Sequence, residues 1–116
     1  MDFGEYQSKA FEIATYPFVG RNIVYPAMGV AGEAGELCDK IKKHWRNTDA
    51  PIEELKSKLT DEQFTEIVKE RGDVLWYLGA LATELNIPLE TVAKENIKKL
   101  YDRRARNVIK SQGDNR

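Results

Sequence analysis

The sequence predicts an all-α domain, a bundle of four main helices that assembles into an oligomer. Three observations carry this expectation. Apolar residues recur at steps of three and four through most of the chain, and no strand-like alternation competes with them. Helix punctuation is present, with Thr60-Asp61-Glu62-Gln63 reading as a capping box and Pro88 suited to a first helical turn. The chain has 116 residues, 41% hydrophobic and 32% charged, with only 8 Gly and 4 Pro. That suits one compact domain over residues 1–116 and excludes a second core or a disordered chain.

Residues 3–15 carry Phe3, Tyr6, Ala10, Phe11, Ile13 and Ala14 at helical spacings, giving a first helix that Pro17 and Gly20 interrupt. From Pro26, a second and longer helix is marked by Ala27, Met28, Val30, Ala31, Ala34, Leu37, Cys38, Ile41 and Trp45. Lys40, Lys42, Lys43 and Arg46 lie near its far end, where cations favour the helix dipole. Residues 47–51 read as a linker, and 53–59 as a short helical turn or a mobile segment. The third helix follows the capping box, with Phe64, Ile67, Val68, Val74, Leu75, Leu78, Leu81 and Leu85 continuing a stripe to Asn86. Its run 74–82 is apolar almost all round and is expected in the core; it is about half of the roughly 20 residues that a membrane span requires. Leu89, Val92, Ala93, Ile97, Leu100 and Val108 mark a fourth helix with basic outer faces, and 111–116 is a polar tail.

The net charge is −1, so the chain lacks the strong positive field of a general nucleic-acid binder. Residues 94–116 nevertheless hold eight Lys or Arg against three Asp or Glu, which leaves the remainder acidic. The single Cys38 forms no internal disulfide, and the first residues lack the basic-then-apolar layout of a signal peptide, so cytoplasmic residence is expected.

Two acidic pairs break the rule that charge stays off an apolar helix face. Glu33 and Glu36 lie in the run GVAGEAGEL, and Glu70 and Asp73 run into VLWYL. A spacing of three places each pair on one face. Burying such groups without partners costs several kcal/mol or forces protonation, so cations, donors or a metal are required nearby, and Arg71 cannot satisfy all four. Gly29, Gly32, Gly35 and Gly72 lie close to these acids, at a cost of about 0.5–1 kcal/mol each in a helix interior, which close approach of a helix or a ligand would justify. One such pair alone is normally a solvated face. Two of them facing each other would form an all-oxygen cage suited to Mg²⁺ or Mn²⁺. A di-iron centre would need Glu-x-x-His motifs, which the lone His44 does not supply, and no EF-hand loop is present.

The runs GEAGELCDKIKK, KERGDVLWYLGALATEL and ENIKKLYDRR resemble the MazG-like family of all-α nucleoside triphosphate pyrophosphohydrolases, over about residues 23–106. The resemblance implies a helical, oligomeric, Mg²⁺-dependent enzyme that converts nucleoside triphosphates to monophosphates and pyrophosphate. It carries over Glu33, Glu36, Glu70 and Asp73 as metal ligands. One of them, with Glu33 the candidate catalytic residue, would instead orient or deprotonate the attacking water. It also places Tyr77, and Lys99 with its neighbours Asn96 and Arg103, on the substrate's phosphates. Attack at the α-phosphorus is what the family implies and is not visible in the spacing.

The rest of the chain reads more plainly. Lys98, Arg104, Arg106 and Lys110 suit a solvated face, Trp45 and Trp76 suit packing, and His44 and Cys38 are structural. Phe3, Tyr6, Phe11, Tyr16 and Phe18 either pack the bundle or line a base pocket. The apolar third helix points to a homodimer or a dimer of dimers. The alternative to an enzyme is a non-catalytic helical module whose basic last helix docks on nucleic acid or an acidic partner, although the overall charge disfavours nucleic acid. Base and sugar preference are not encoded in these motifs.

Overall fold

The computed structural model describes residues 1–106, so Val108, Lys110 and the polar tail 111–116 lie outside the described residues. Helix α1 spans Phe3–Phe11, with the Asp2 side chain accepting from the Glu5 amide at 2.8 Å. It stops short of residue 15 because the chain ahead of Pro17 is taken into a different set of contacts. There the Glu84 carboxylate accepts from the Tyr16 hydroxyl, the Gly20 amide (2.8 Å) and the Asn22 amide (2.9 Å). Helix α2 spans Val24–Thr48 and so begins before Pro26 and consumes the start of the expected linker. Asn22 Oδ1 accepts from the Val24 and Tyr25 amides, both at 3.1 Å, and satisfies donors that the helix itself cannot. Asp49, at φ 52, ends the helix.

A 3-10 turn at Ile52–Glu54 and a short α3 at Leu55–Lys58 make the segment expected as a helical turn or a mobile stretch helical over 52–58. Helix α4 spans Asp61–Glu84 and opens on the expected capping box: Thr60 and Gln63 exchange bonds of 3.1 and 3.0 Å. Asn86 closes it in the left-handed region at φ 58, with the Ile87 amide bonded to the Ala82 carbonyl and the Asn86 amide to Thr83. Helix α5 spans Leu89–Ala105. Pro88 stands one position before it and offers no side-chain acceptor, so the cap comes from another helix: Gln7 Oε1 accepts from the Leu89 amide at 2.7 Å. Gln7 Nε2 donates to Thr83 Oγ1 and the Ile87 carbonyl, which fastens α1 to the α4–α5 turn.

The longest seam joins α2 to α4, running antiparallel; α1 packs on α4 and α5, and α5 on α4. Trp76 donates its indole N–H to the Ala10 carbonyl at 2.9 Å, and Tyr6 lies against Gly79, so α1 covers the later part of α4. Among the described residues the buried apolar set is small: Tyr16, Pro26, Ala80, Ala82 and Leu89. The run 74–82 is therefore only partly enclosed, with Gly79, Ala80 and Ala82 buried but Leu78 42% exposed. No helix among the described residues is long and apolar enough to cross a membrane.

Burial opposes ionisation of Glu84, but the Tyr16 hydroxyl and the Asn22 and Gly20 amides outweigh it and hold the carboxyl below its ordinary 4.5. The ionised form is the one the fold prefers, so its contribution is present at neutral pH and lost as pH falls through that depressed value. Glu84→Gln is expected to lower stability at neutral pH by about 1–3 kcal/mol. Thermal unfolding followed by circular dichroism should also show a flatter loss for the variant than for the native chain as pH drops below 4.5.

Candidate metal centre

The antiparallel seam places Glu33 of α2 opposite Glu70 and Asp73 of α4, and one oxygen from each lies within 4.8 Å of the others. The pair on α4 shares a face because three residues is close to one helical turn. Glu33 and Glu70 are half-buried and Asp73 is exposed. Glu36 is exposed and stands outside this group of three. Its charge still reaches Glu33, whose carboxyl is pushed up by burial first and then by Asp73, Glu70 and Glu36. No described lysine or arginine forms an ion pair with Glu33, Glu70 or Asp73.

Two unit charges 4.8 Å apart repel by about 3 kcal/mol at an effective dielectric of about 20, before salt screens them. The fold holds three such groups together with no cation from the described residues between them. A hard divalent ion reverses the sign of that interaction, and the donor set, all carboxylate oxygen with no nitrogen or sulfur, fits Mg²⁺ or Mn²⁺ and not a softer metal.

The acids open into a cleft of about 410 Å³ whose other walls are Tyr6, Ile13, Gly72, Trp76 and Tyr77. Trp76 and Tyr77 meet edge to face at 5.0 Å and 87°. Tyr77 is kept neutral by burial, by the adjacent Tyr25 and by the charges of Glu33 and Asp73, so its hydroxyl remains a hydrogen-bond donor. Tyr6 is raised likewise, by burial and then by Asp73.

The site residues expected from the sequence therefore divide. Glu33, Asp73 and Tyr77 line the cleft, Glu70 joins the two acids in the carboxylate group without lining it, and Glu36 stands beside them. Asn96 and Lys99 are exposed on α5, Arg103 is buried there, and none of the three lines the cleft. Arg71 faces a separate apolar groove with Leu37 and Val68. Of the four glycines near the acids only Gly29 meets close packing; a Cβ on Gly32, Gly35 or Gly72 would touch nothing within 4 Å. His44 lies 3.6 Å from Glu66 across the same seam, with its Nε2 buried and unbonded, and Cys38 is exposed. The Tyr6 and Ile13 walls come from the far end of the chain. No local spacing marks them, and only the aromatic richness of the first residues hinted at them.

Comparison with known proteins gives two findings and one negative. The family model described as the MazG nucleotide pyrophosphohydrolase domain matches residues 27–108. The chain is 40% identical over 116 residues to the "Gene 37 protein" of Mycobacterium phage L5, covering 96% of both chains. No solved structure matches significantly.

Titration with Mn²⁺ followed by electron paramagnetic resonance tests the donor set directly. Asp73→Asn is expected to weaken binding by at least about tenfold while the helical circular dichroism spectrum stays native. Equal affinity in the variant would remove Asp73 from the donor set.

Proposed function

The chain belongs to the MazG nucleotide pyrophosphohydrolase family, and we propose that within it the chain acts as a Mg²⁺-dependent enzyme converting (deoxy)nucleoside triphosphates to monophosphates and pyrophosphate. The observation that supports this most is the group of three carboxylates shared by α2 and α4, two of which line an aromatic-walled cleft. A triphosphate carries about four negative charges near neutral pH and would be repelled by bare carboxylates. Mg²⁺, with Mn²⁺ a possible substitute, supplies the positive charge that lets these acids receive phosphate and polarises the phosphoryl group.

In this reading Glu33, Glu70 and Asp73, the three that stand together, hold the ion, with Glu36 a further ligand on the strength of the resemblance. Glu33 is also the residue that orients the attacking water and takes its proton. Tyr77, neutral and donating, bonds a phosphate oxygen. Trp76 and Tyr6 offer apolar faces to the nucleoside beside the acids. Asn96, Lys99 and Arg103 are supported only by the resemblance, since they do not line the cleft.

The same reading includes self-association as a homodimer or a dimer of dimers. Phe64, Val68, Arg71, Leu75 and Leu78 follow one another at steps of four and three along α4, and Phe64 and Val68 are 53% and 52% exposed. Val68, Leu75 and Leu78 line a groove of about 620 Å³ with Leu37. The radius of gyration, 17.2 Å, exceeds the roughly 13 Å of a compact chain of this length, as expected of a subunit whose core is completed by a second copy.

Two measurements test these statements. Pyrophosphate release from a panel of ribo- and deoxyribonucleoside triphosphates should require Mg²⁺, stop on chelation, and fall by about a hundredfold or more in Asp73→Asn and Glu36→Gln. Silence across the panel from folded protein would overturn the enzymatic reading. Light scattering should give a mass that is a multiple of 13.3 kDa, reduced to the single-chain value by Val68→Glu combined with Leu78→Glu.

A further inference from the structure

We infer that Gly29 is a positioning residue for the reaction, the seat that holds the Tyr77 ring at the edge of the acid cleft; this role rests on the pyrophosphohydrolase reading above. Gly29 lies one helical turn before Glu33 on α2, and Tyr77 lies one turn after Asp73 on α4. In the antiparallel seam these two form the layer next to the acids. A Cβ on Gly29 would stand 2.6 Å from Tyr77 Cγ and nearer still to Cδ1 and Cε1, closer than real Cβ atoms come to anything.

The Tyr77 ring has little freedom to give way in place. Trp76 meets it edge to face at 5.0 Å, and Tyr25 lies against it at 6.4 Å. Tyr25 is itself stacked on Tyr16 at 5.1 Å, and the Tyr16 hydroxyl is bound by Glu84. The ring thus has backbone on one side and an anchored aromatic chain on others.

The ring is also a partition. One side lines the cleft with Glu33 and Asp73, and another lines a second hollow of about 360 Å³ with Asn22, Met28 and Gly29. A methyl group at position 29 turns the ring off its seat more readily than it parts the helices. Rotation about two side-chain bonds disturbs Tyr77 and its ring contacts with Trp76 and Tyr25, whereas separation breaks the whole seam, including the contact of His44 with Glu66. Displacing the ring moves the Tyr77 hydroxyl and reshapes the cleft, but leaves Glu33, Glu70 and Asp73 on their helices. Substrate binding changes and metal binding does not.

A double-mutant cycle over Gly29→Ala and Tyr77→Ala tests this, with KM and kcat from pyrophosphate release, Mn²⁺ affinity from paramagnetic resonance, and near-ultraviolet circular dichroism. With Tyr77 present, Gly29→Ala is expected to raise KM by about tenfold at unchanged Mn²⁺ affinity. In the Tyr77→Ala background the same substitution should change neither. Equal losses in both backgrounds, or Mn²⁺ affinity falling together with nucleotide affinity, would overturn the seat and make Gly29 a spacer for the helices. If Gly29→Ala alone does not fold, a folded double variant supports the seat and an unfolded one overturns it. If the native protein releases no pyrophosphate, the enzymatic reading fails by itself. The seat is then decided by the aromatic dichroism: a change on Gly29→Ala that vanishes in the Tyr77→Ala background upholds it, and any other pattern overturns it.

Discussion

The approach of α2 to α4 along one antiparallel seam is the constraint from which the remaining arrangement follows. It aligns Glu33 with Glu70 and Asp73, His44 with Glu66, and Gly29 with Tyr77, so a single register sets the acids, the buried imidazole and the aromatic wall together. Three carboxylates within 4.8 Å repel one another, and the seam must hold against that repulsion through apolar contact elsewhere along its length. Concentrating like charge at a half-buried point lowers stability and creates affinity for a cation, which is how functional sites generally depart from the rules that govern the rest of a fold.

A second anchor operates at the opposite end of α4. Glu84 gathers Tyr16, Gly20 and Asn22, and through them fixes the connection from α1 to α2. Tyr16 then stacks on Tyr25 and meets Trp76 edge to face, so the loop is continuous with the aromatic wall of the cleft. An acid whose role is to organise backbone amides thus stands at the far end of the helix that carries Glu70 and Asp73.

Much of this was legible in the sequence where the signal is local. The capping box at Thr60, the stop at Asn86 and the two acidic pairs were readable because each depends on residues within a turn or two of one another. The end of the first helix before residue 15 and the start of α2 ahead of Pro26 were not, since Glu84 and Asn22 act on them from outside the helices concerned. Burial was read less well. The apolar run 74–82 suggested an enclosed core, yet Leu78 is 42% exposed, because periodicity marks a face as apolar without saying whether the same chain covers it. Gly29 was visible as an expensive residue in a helix, but its partner, Tyr77, lies too far along the chain for any spacing rule to pair them.

The cap that Gln7 places on the first amide of α5 spans 82 residues of sequence. At a synthesis rate of roughly 5–20 residues per second, Gln7 is made about 4–16 s before the amide it caps. A nine-residue helix has little stability by itself, so α1 waits, unstructured and carrying Phe3, Tyr6 and Phe11, until nearly the whole domain exists. Its ordering therefore depends on segments made after it, and the wall that Tyr6 supplies to the cleft is complete only once they are in place.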